Sequence, residues 1–205
     1  FKFLENGSLF RGSKPVMWST VEKTALAEAE VEYREHKSIT IYVKFPIKNS
    51  NDQDLLSASV VIWTTTPWTI PGNRAIAFSQ EISYSLYKIT KLIEGSYSLE
   101  GDLVILADEL VNSFKEKCKI EILEKIKSVS NISEITCSHP FHSSGYEFDV
   151  NLYHADYVNL EQGTGFVHVA PGHGPDDYEL GKPNGIEIPE TVGPDGAYFD
   201  HVPLF

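Results

Sequence analysis

Apolar positions in this chain come mostly in short runs with period two, and stretches with the 3.6-residue period of a long helix are scarce. Ala27-Glu28-Ala29-Glu30-Val31-Glu32-Tyr33 alternates apolar and acidic residues. Ala and Glu favour helix, but the alternation predicts a strand. Its expected hairpin partner is 38–47, where Ile39, Ile41, Val43 and Phe45 face one way and Thr40, Tyr42 and Lys44 the other. Further strands are expected at 57–63, 74–79, 82–89, 103–106, 153–158 and 165–169. A helix is expected from Asp108 to about Lys117, acidic at its start and basic at its end, with Leu110, Val111 and Phe114 on one face. Another starts at Pro175-Asp176-Asp177-Tyr178, with proline in the first turn. Residues 119–136 are weakly patterned, and 181–205, rich in Gly and Pro, reads as loop with a short terminal hairpin.

Many short strands with few helices predict an α+β fold that is β-rich, with a central β-barrel and short peripheral helices. Strand–helix alternation is too sparse for a doubly wound parallel sheet. Residues 1–24 read as a linker leading in from another domain, and 25–205 as the domain proper. The chain opens on Phe1 rather than Met, so a piece of a longer protein is expected.

The 205 residues include 17 basic and 29 acidic side chains, a net charge of −12. That balance argues against general wrapping of nucleic acid, which relies on clustered Lys and Arg. It leaves room for a pocket that grips one nucleotide at an RNA end. No apolar run approaches the roughly 18 residues of a membrane span, so no membrane partner is expected. Cys118 and Cys137 make no disulfide framework, and a reducing cytoplasm is the expected location.

Two stretches could carry chemistry. In Trp63-Thr64-Thr65-Thr66-Pro67-Trp68-Thr69-Ile70-Pro71-Gly72-Asn73 a strand ends in three hydroxyls. Strand alternation puts Thr64 and Thr66 on one face, and Pro67 biases Thr66 away from helix. Such hydroxyls can hold a water or a ligand oxygen, although threonine is also simply common in strands. In Gly163-Thr164-Gly165-Phe166-Val167-His168-Val169-Ala170-Pro171-Gly172-His173-Gly174-Pro175-Asp176-Asp177, the glycines permit close approach of a ligand. His168 is placed on a strand and Asp177 at a helix start, so the two could converge. A strand histidine is more often a packed, hydrogen-bonded core residue, and Asp176 and Asp177 could serve only as helix-start acids. His173 reads as a turn residue. Neither this stretch nor Cys137, His139 and His142 has zinc-protease or paired-cysteine spacing, so no metal is expected. No nucleophile elbow or phosphate loop is present, which favours a positioned water over a covalent intermediate.

Taken together, WTTTPWT with its following Asn-Arg, and GTGFVHVAPGHGPDD with His168 102 positions after Thr66, resemble the editing domain (connective peptide 1) of isoleucyl-tRNA synthetases. RGSKPVMWS and TALAEAEVEY extend the resemblance over nearly the whole chain. The resemblance implies hydrolytic editing of valine misattached to tRNA(Ile), with isoleucine excluded by size. Asp177 would pair with the substrate α-ammonium, and Thr64, Thr65 and Thr66 would hold the aminoacyl end and the water. Trp68 and His168 would form the wall that rejects isoleucine, with Asn73 and Gly172 completing the substrate-binding set. The implied partners are the 3′ aminoacylated end of tRNA(Ile), its valine moiety and the remainder of the synthetase. No cofactor is implied for editing; ATP and Mg belong to a synthetic domain outside this chain, which has no ATP signature of its own. A non-catalytic binding module and a metal-dependent hydrolase are the alternatives.

Overall fold

The computed structural model describes residues 1–12 and 14–205. Ser13, inside the RGSKPVMWS stretch, lies outside the described residues. The chain runs α1 (Lys2–Glu5), β1 (Trp18–Ser19), β2 (Thr24–Ala25), β3 (Ile41–Asn49), β4 (Ser59–Thr64), β5 (Ala75–Phe78), β6 (Tyr84–Leu92) and β7 (Leu103–Ala107). It continues with α2 (Val111–Lys117), β8 (Ile120–Val129), β9 (Thr136–Ser138), β10 (Asp149–His154), β11 (Phe166–Val169) and α3 (Pro175–Gly181). The hairpin β1–β2 straddles the domain boundary expected at residue 24.

Nine strands form one mixed sheet in the order β11-β5-β10-β9-β3-β4-β7-β6-β8. The pairs β4–β7 and β5–β10 are parallel and the rest antiparallel. β3 belongs to both halves. It pairs with β4 from Ile41↔Thr64 to Pro46↔Ser59, and on its other edge Ile47 and Asn49 pair with Cys137 and Thr136 of β9, with a register irregularity between them. No ladder joins β11 to β8 among the described residues, so the β-rich architecture is present but the expected closed barrel is not found.

The main core packs on one face of the sheet. Phe45, Val60, Ile62, Ile76, Ile105 and Phe166 meet there, each essentially without solvent contact. Val61, Val104, Ile89, Phe114 and Ile120 form a smaller cluster on the opposite face, under α2. Burial of apolar surface at roughly 25 cal/mol per Å² drives both. No helix among the described residues is long and apolar enough to cross a membrane.

The expected strand at 27–33 does not form. Glu28–Glu30 makes a single 3-10 turn, because the Glu30 carboxylate accepts from the Ala27 amide at 2.7 Å. An exposed alternating segment without a ladder partner gains nothing from extending. β3 therefore starts at Ile41 and takes β4 as its neighbour. The expected strand at 153–158 is displaced to β10, because its parallel register against β5 runs from Asn151↔Ala75 to His154↔Phe78. The remaining strand expectations and both helices are found within a few residues of their expected bounds, and Val192↔Tyr198 makes the terminal hairpin bridge.

Candidate functional site

A cleft of about 370 Å³ opens where the end of β4 meets β11 and the start of α3. β4 stops at Thr64, and Pro67 begins a 3-10 segment through Gly72. Proline has no amide to leave unpaired and a preset φ, which suits the first helical position. The resulting turn gathers three hydroxyls. Thr64 Oγ1 lies 3.3 Å from Thr66 Oγ1, which lies 3.4 Å from Thr69 Oγ1. Thr64 and Thr66 thus share a face as expected, whereas Thr65 is exposed at the rim. Thr64 Oγ1 accepts from the Thr66 amide at 3.1 Å, and Thr69 Oγ1 donates to the Thr66 carbonyl at 2.8 Å.

His168 sits behind this row on β11, only 6% exposed. Its Nε2 is 2.9 Å from Thr69 Oγ1 and its Nδ1 is 3.4 Å from Asn73 Nδ2. The network assigns the tautomer from both ends. Asn73 Nδ2 also lies 2.8 Å from the Ala75 carbonyl, which can only accept, so it is the amide nitrogen that faces His168. Nδ1 therefore accepts, and Nε2 carries the hydrogen. Thr69 has committed its own hydrogen to the Thr66 carbonyl, so it accepts from Nε2. Burial pushes the imidazole pKa down to about 4, helped by His173 and His139. His168 is a neutral scaffold for the hydroxyl row, with neither nitrogen free to take a proton from water.

Asp177, half-buried in the first turn of α3, also lines the cleft. Its Oδ2 accepts from the Ala170 amide at 2.9 Å. Burial raises its pKa, the Ala170 hydrogen bond opposes that, and neighbouring Asp176 adds to it. No cation lies within ion-pairing distance among the described residues. The approach is tight: a Cβ on Gly174 would stand 2.9 Å from Asp177 Oδ2. The Tyr157 hydroxyl in the same cleft is buried with no hydrogen-bond partner, and burial followed by the charges of Asp177 and Asp176 raises its pKa.

Trp68 lines the opposite side, 51% exposed. Its ring meets His173 edge-on, with centroids 5.2 Å apart at 84°, and its carbonyl accepts from the Tyr198 hydroxyl at 2.6 Å. His173 Nε2 is bonded to Thr191 Oγ1 at 2.9 Å. The aromatic neighbour of Trp68 is thus His173 rather than the expected His168. Asn73 is fully buried behind His168 and holds the turn, with its amide accepting no donor at Oδ1. Gly172 does not line the cleft: a Cβ there would stand 3.2 Å from the Pro189 carbonyl, so it faces the 188–189 segment. Gly163 and Gly165 do line it, but their positive φ angles serve the protein's own packing. A Cβ on Gly165 would fall 2.5 Å from Ala107 Cβ, and one on Gly163 would touch Trp63.

Thr69 and Tyr157 were not singled out by sequence, and His173 was read as a turn residue, which it is, but not as a neighbour of the cleft. Thr69 could have been: three residues beyond Thr66, across a proline-started turn, it faces the same way. Tyr157 offered no local signal, since the turn after β10 sets its placement. The Cys137-His139-His142 group is structural at His139. Its Nε2 donates to the Ile70 carbonyl at 3.0 Å, and its Nδ1 accepts from the Phe141 amide at 3.1 Å. His139 thereby supports the 67–72 turn from below.

Residues 1–173 match the family described as tRNA synthetases class I (I, L, M and V). The chain is 49% identical over 217 aligned positions to an isoleucine--tRNA ligase of Bradyrhizobium diazoefficiens, covering 100% of this chain and 22% of that protein. It is 47% identical over 206 positions to the isoleucine--tRNA ligase of Pelagibacter ubique, with the same coverage. It therefore spans about a fifth of the length of these curated relatives. A solved structure described as GlLeuRS-CP1 overlaps with a TM-score of 0.49 and 22% identity over 62% of this chain and 44% of that one. The P. falciparum cytosolic leucyl-tRNA synthetase editing domain overlaps with a TM-score of 0.48 and 10% identity over 63% and 49%. These overlaps are partial, and the assignment rests on the sequence match. A family match over 173 of the 205 residues establishes that the chain belongs to the class I tRNA synthetases.

Proposed function

We propose that this domain edits in the cytoplasm, hydrolysing the ester that joins valine to the 3′ end of tRNA(Ile), within an isoleucyl-tRNA synthetase. The observation that carries the reading is Asp177. It is a partly desolvated carboxylate that, among the described residues, has one neutral donor and no cation, in the cleft that also holds the threonine hydroxyls. An α-ammonium placed there would complete it with a charge-assisted bond. The kinship with isoleucine--tRNA ligases supplies the substrate class.

The residues then divide the work. Asp177 anchors the ammonium and so fixes the ester carbonyl. The hydroxyls of Thr64 and Thr66 orient a water, and His168 with Asn73 holds the row in register through Thr69. The water oxygen attacks the ester carbon. The bond to the ribose oxygen breaks, that oxygen takes up a proton, and free valine leaves with the uncharged tRNA. With both His168 nitrogens committed, positioning by hydroxyls and by the substrate's own ribose hydroxyl carries the step. Such editing answers a physical limit, because one missing methylene in an apolar pocket is worth only about 1–3 kcal/mol. A second site that admits the smaller residue and rejects the larger supplies the rest.

Single-turnover deacylation of valine-charged tRNA(Ile) tests this, using Asp177→Asn and Thr66→Val. The expected result is release by the parent chain and loss of most activity in both variants with unchanged circular dichroism. Undiminished release by Asp177→Asn would overturn the assignment of the anchor.

A further inference from the structure

The 3-10 segment at 67–72 leaves one carbonyl without its regular donor. In that pattern the Trp68 carbonyl would accept from the amide three residues on, and that residue is Pro71, which has no amide hydrogen. The donor comes instead from far along the chain, where the Tyr198 hydroxyl reaches the Trp68 carbonyl at 2.6 Å. The indole of Trp68, half exposed, rests edge-on against His173. His173 is held in turn by Thr191, whose Oγ1 lies 2.9 Å from Nε2, and sits close over Gly72, where a Cβ would stand 3.0 Å from the imidazole.

Both of these supports come from one element. Residues 191–199 double back on themselves: Val192 bridges Tyr198, the Gly193 amide donates to the Ala197 carbonyl at 2.7 Å, and the Phe199 amide donates to the Thr191 carbonyl at 3.2 Å. The tip of this strap is seated on the hairpin β1–β2. Trp18 Nε1 donates to the Pro194 carbonyl at 2.9 Å, and Gly196, at φ +83°, lies against Thr20, where a Cβ would stand 3.0 Å from Cγ2. The exposed Lys23–Asp195 pair, 3.9 Å apart, adds little. The Tyr198 ring also packs on Phe205, with centroids 4.5 Å apart. A strap fixed at its tip thus reaches the cleft wall through two hydroxyls, one on the backbone of Trp68 and one on the ring beside it.

We propose that this strap sets the width of the cleft. Tyr198 and Thr191 are positioning residues: neither lines the cleft, and each holds a member of the Trp68–His173 wall in the place where it excludes a side chain larger than valine. The proposal rests on the editing reading above and names what fixes its size limit. One methylene is a small difference, so a wall that must register it cannot be left to a half-exposed indole on a proline-interrupted turn. Two hydrogen bonds from outside the turn supply the missing restraint.

The test compares this chain with Tyr198→Phe, which keeps the ring on Phe205 and removes only the hydroxyl. Single-turnover release is measured from valine-charged and isoleucine-charged tRNA(Ile). In the variant, isoleucine release should rise and the valine-to-isoleucine ratio should fall by about tenfold, since a misplacement near 1 Å away from the chemistry can cost on the order of 100-fold. Thr191→Val should lower the ratio in the same way, and Thr191→Ser, which keeps the hydroxyl, should leave it at the parent value. General loosening of the fold would lower both rates together and leave the ratio where it was. Fluorine NMR of the chain labelled with fluorotryptophan at its three tryptophans gives a readout independent of catalysis, with Trp68→Phe assigning the resonance. The Trp68 resonance should shift or broaden in Tyr198→Phe, and that of Trp63 should not. An unchanged ratio, or an unchanged Trp68 resonance, overturns the proposal. The two readings fail separately. If the parent and Tyr198→Phe release valine with equal selectivity, the strap fails and the editing reading stands. If the parent releases no valine while the Trp68 resonance moves in Tyr198→Phe, the editing reading fails and the hold of the strap on Trp68 stands.

Discussion

Asp177 and His168 carry opposite burdens. Asp177 is destabilised as an anion by burial, and its worth comes only when a cation arrives. Replacing it by Asn removes the ionised group with little change of shape. Stability should therefore hold, while deacylation efficiency falls by about 10- to 100-fold, the worth of a hydrogen bond to a charged group at about 1.5–3 kcal/mol. The same raised pKa means that anchoring weakens as pH falls through it, so substrate affinity drops on the acid side. His168 works the other way. Its folded pKa of about 4 lies below the unfolded 6.5, so the unfolded chain binds more protons between these values. Stability is complete above pH 6.5 and is lost as pH falls toward 4, by about 1.4 kcal/mol per pH unit. His139, also pushed down to about 4, adds the same sign. Urea midpoints at pH 7 and pH 5 read this directly, and nitrogen NMR should show His168 protonated at Nε2. Tyr157→Phe removes a hydroxyl that has no partner in the protein, so folding should be unharmed. A several-fold fall in deacylation would show that the substrate supplies the partner. At this scale the threonines, His168 and Asp177 were legible because their residue types name their chemistry. Gly172 was not, because a glycine's place in a motif does not say which way its open side faces.

Among the elements, those that bury both faces were easiest to read. β5 and β7 are almost wholly apolar and nearly solvent-free, and their runs announce them. β8 was missed. It is an edge strand studded with Glu and Lys, mostly exposed, and its ladder with β6 shifts register at three points. Charges protect an edge from further pairing, and bulges erase the period-two signal, so the same features that make β8 safe hide it. The loop leading into β11 shows how backbone geometry serves the site. Gly165, at φ +83°, receives the Tyr84 hydroxyl on its carbonyl at 2.7 Å, and a Cβ there would strike Ala107. Gly165→Ala should cost about 2 kcal/mol or more, from left-handed strain together with overpacking, read as a lower melting temperature. Gly174→Ala acts differently. Its φ of −131° is ordinary, but the three atoms nearest the new methyl all belong to the Asp177 side chain. The fold should survive while deacylation falls several-fold as the anchor is displaced.

At the scale of the whole molecule, the expectation of a β-rich α+β domain agrees with the nine-stranded sheet, and no closed barrel is found among the described residues. Period-two runs report strands but carry no information on whether the first and last strands meet. The acidic balance also gains a meaning. In the editing reading only an RNA end need enter, so no broad cationic surface is required. The most direct test of that reading is the relative rate at which this chain, at saturating concentration, releases amino acid from valine-charged and isoleucine-charged tRNA(Ile). The expected result is fast loss of valine and slow loss of isoleucine. Equal rates for both, or no valine release above buffer, would contradict it.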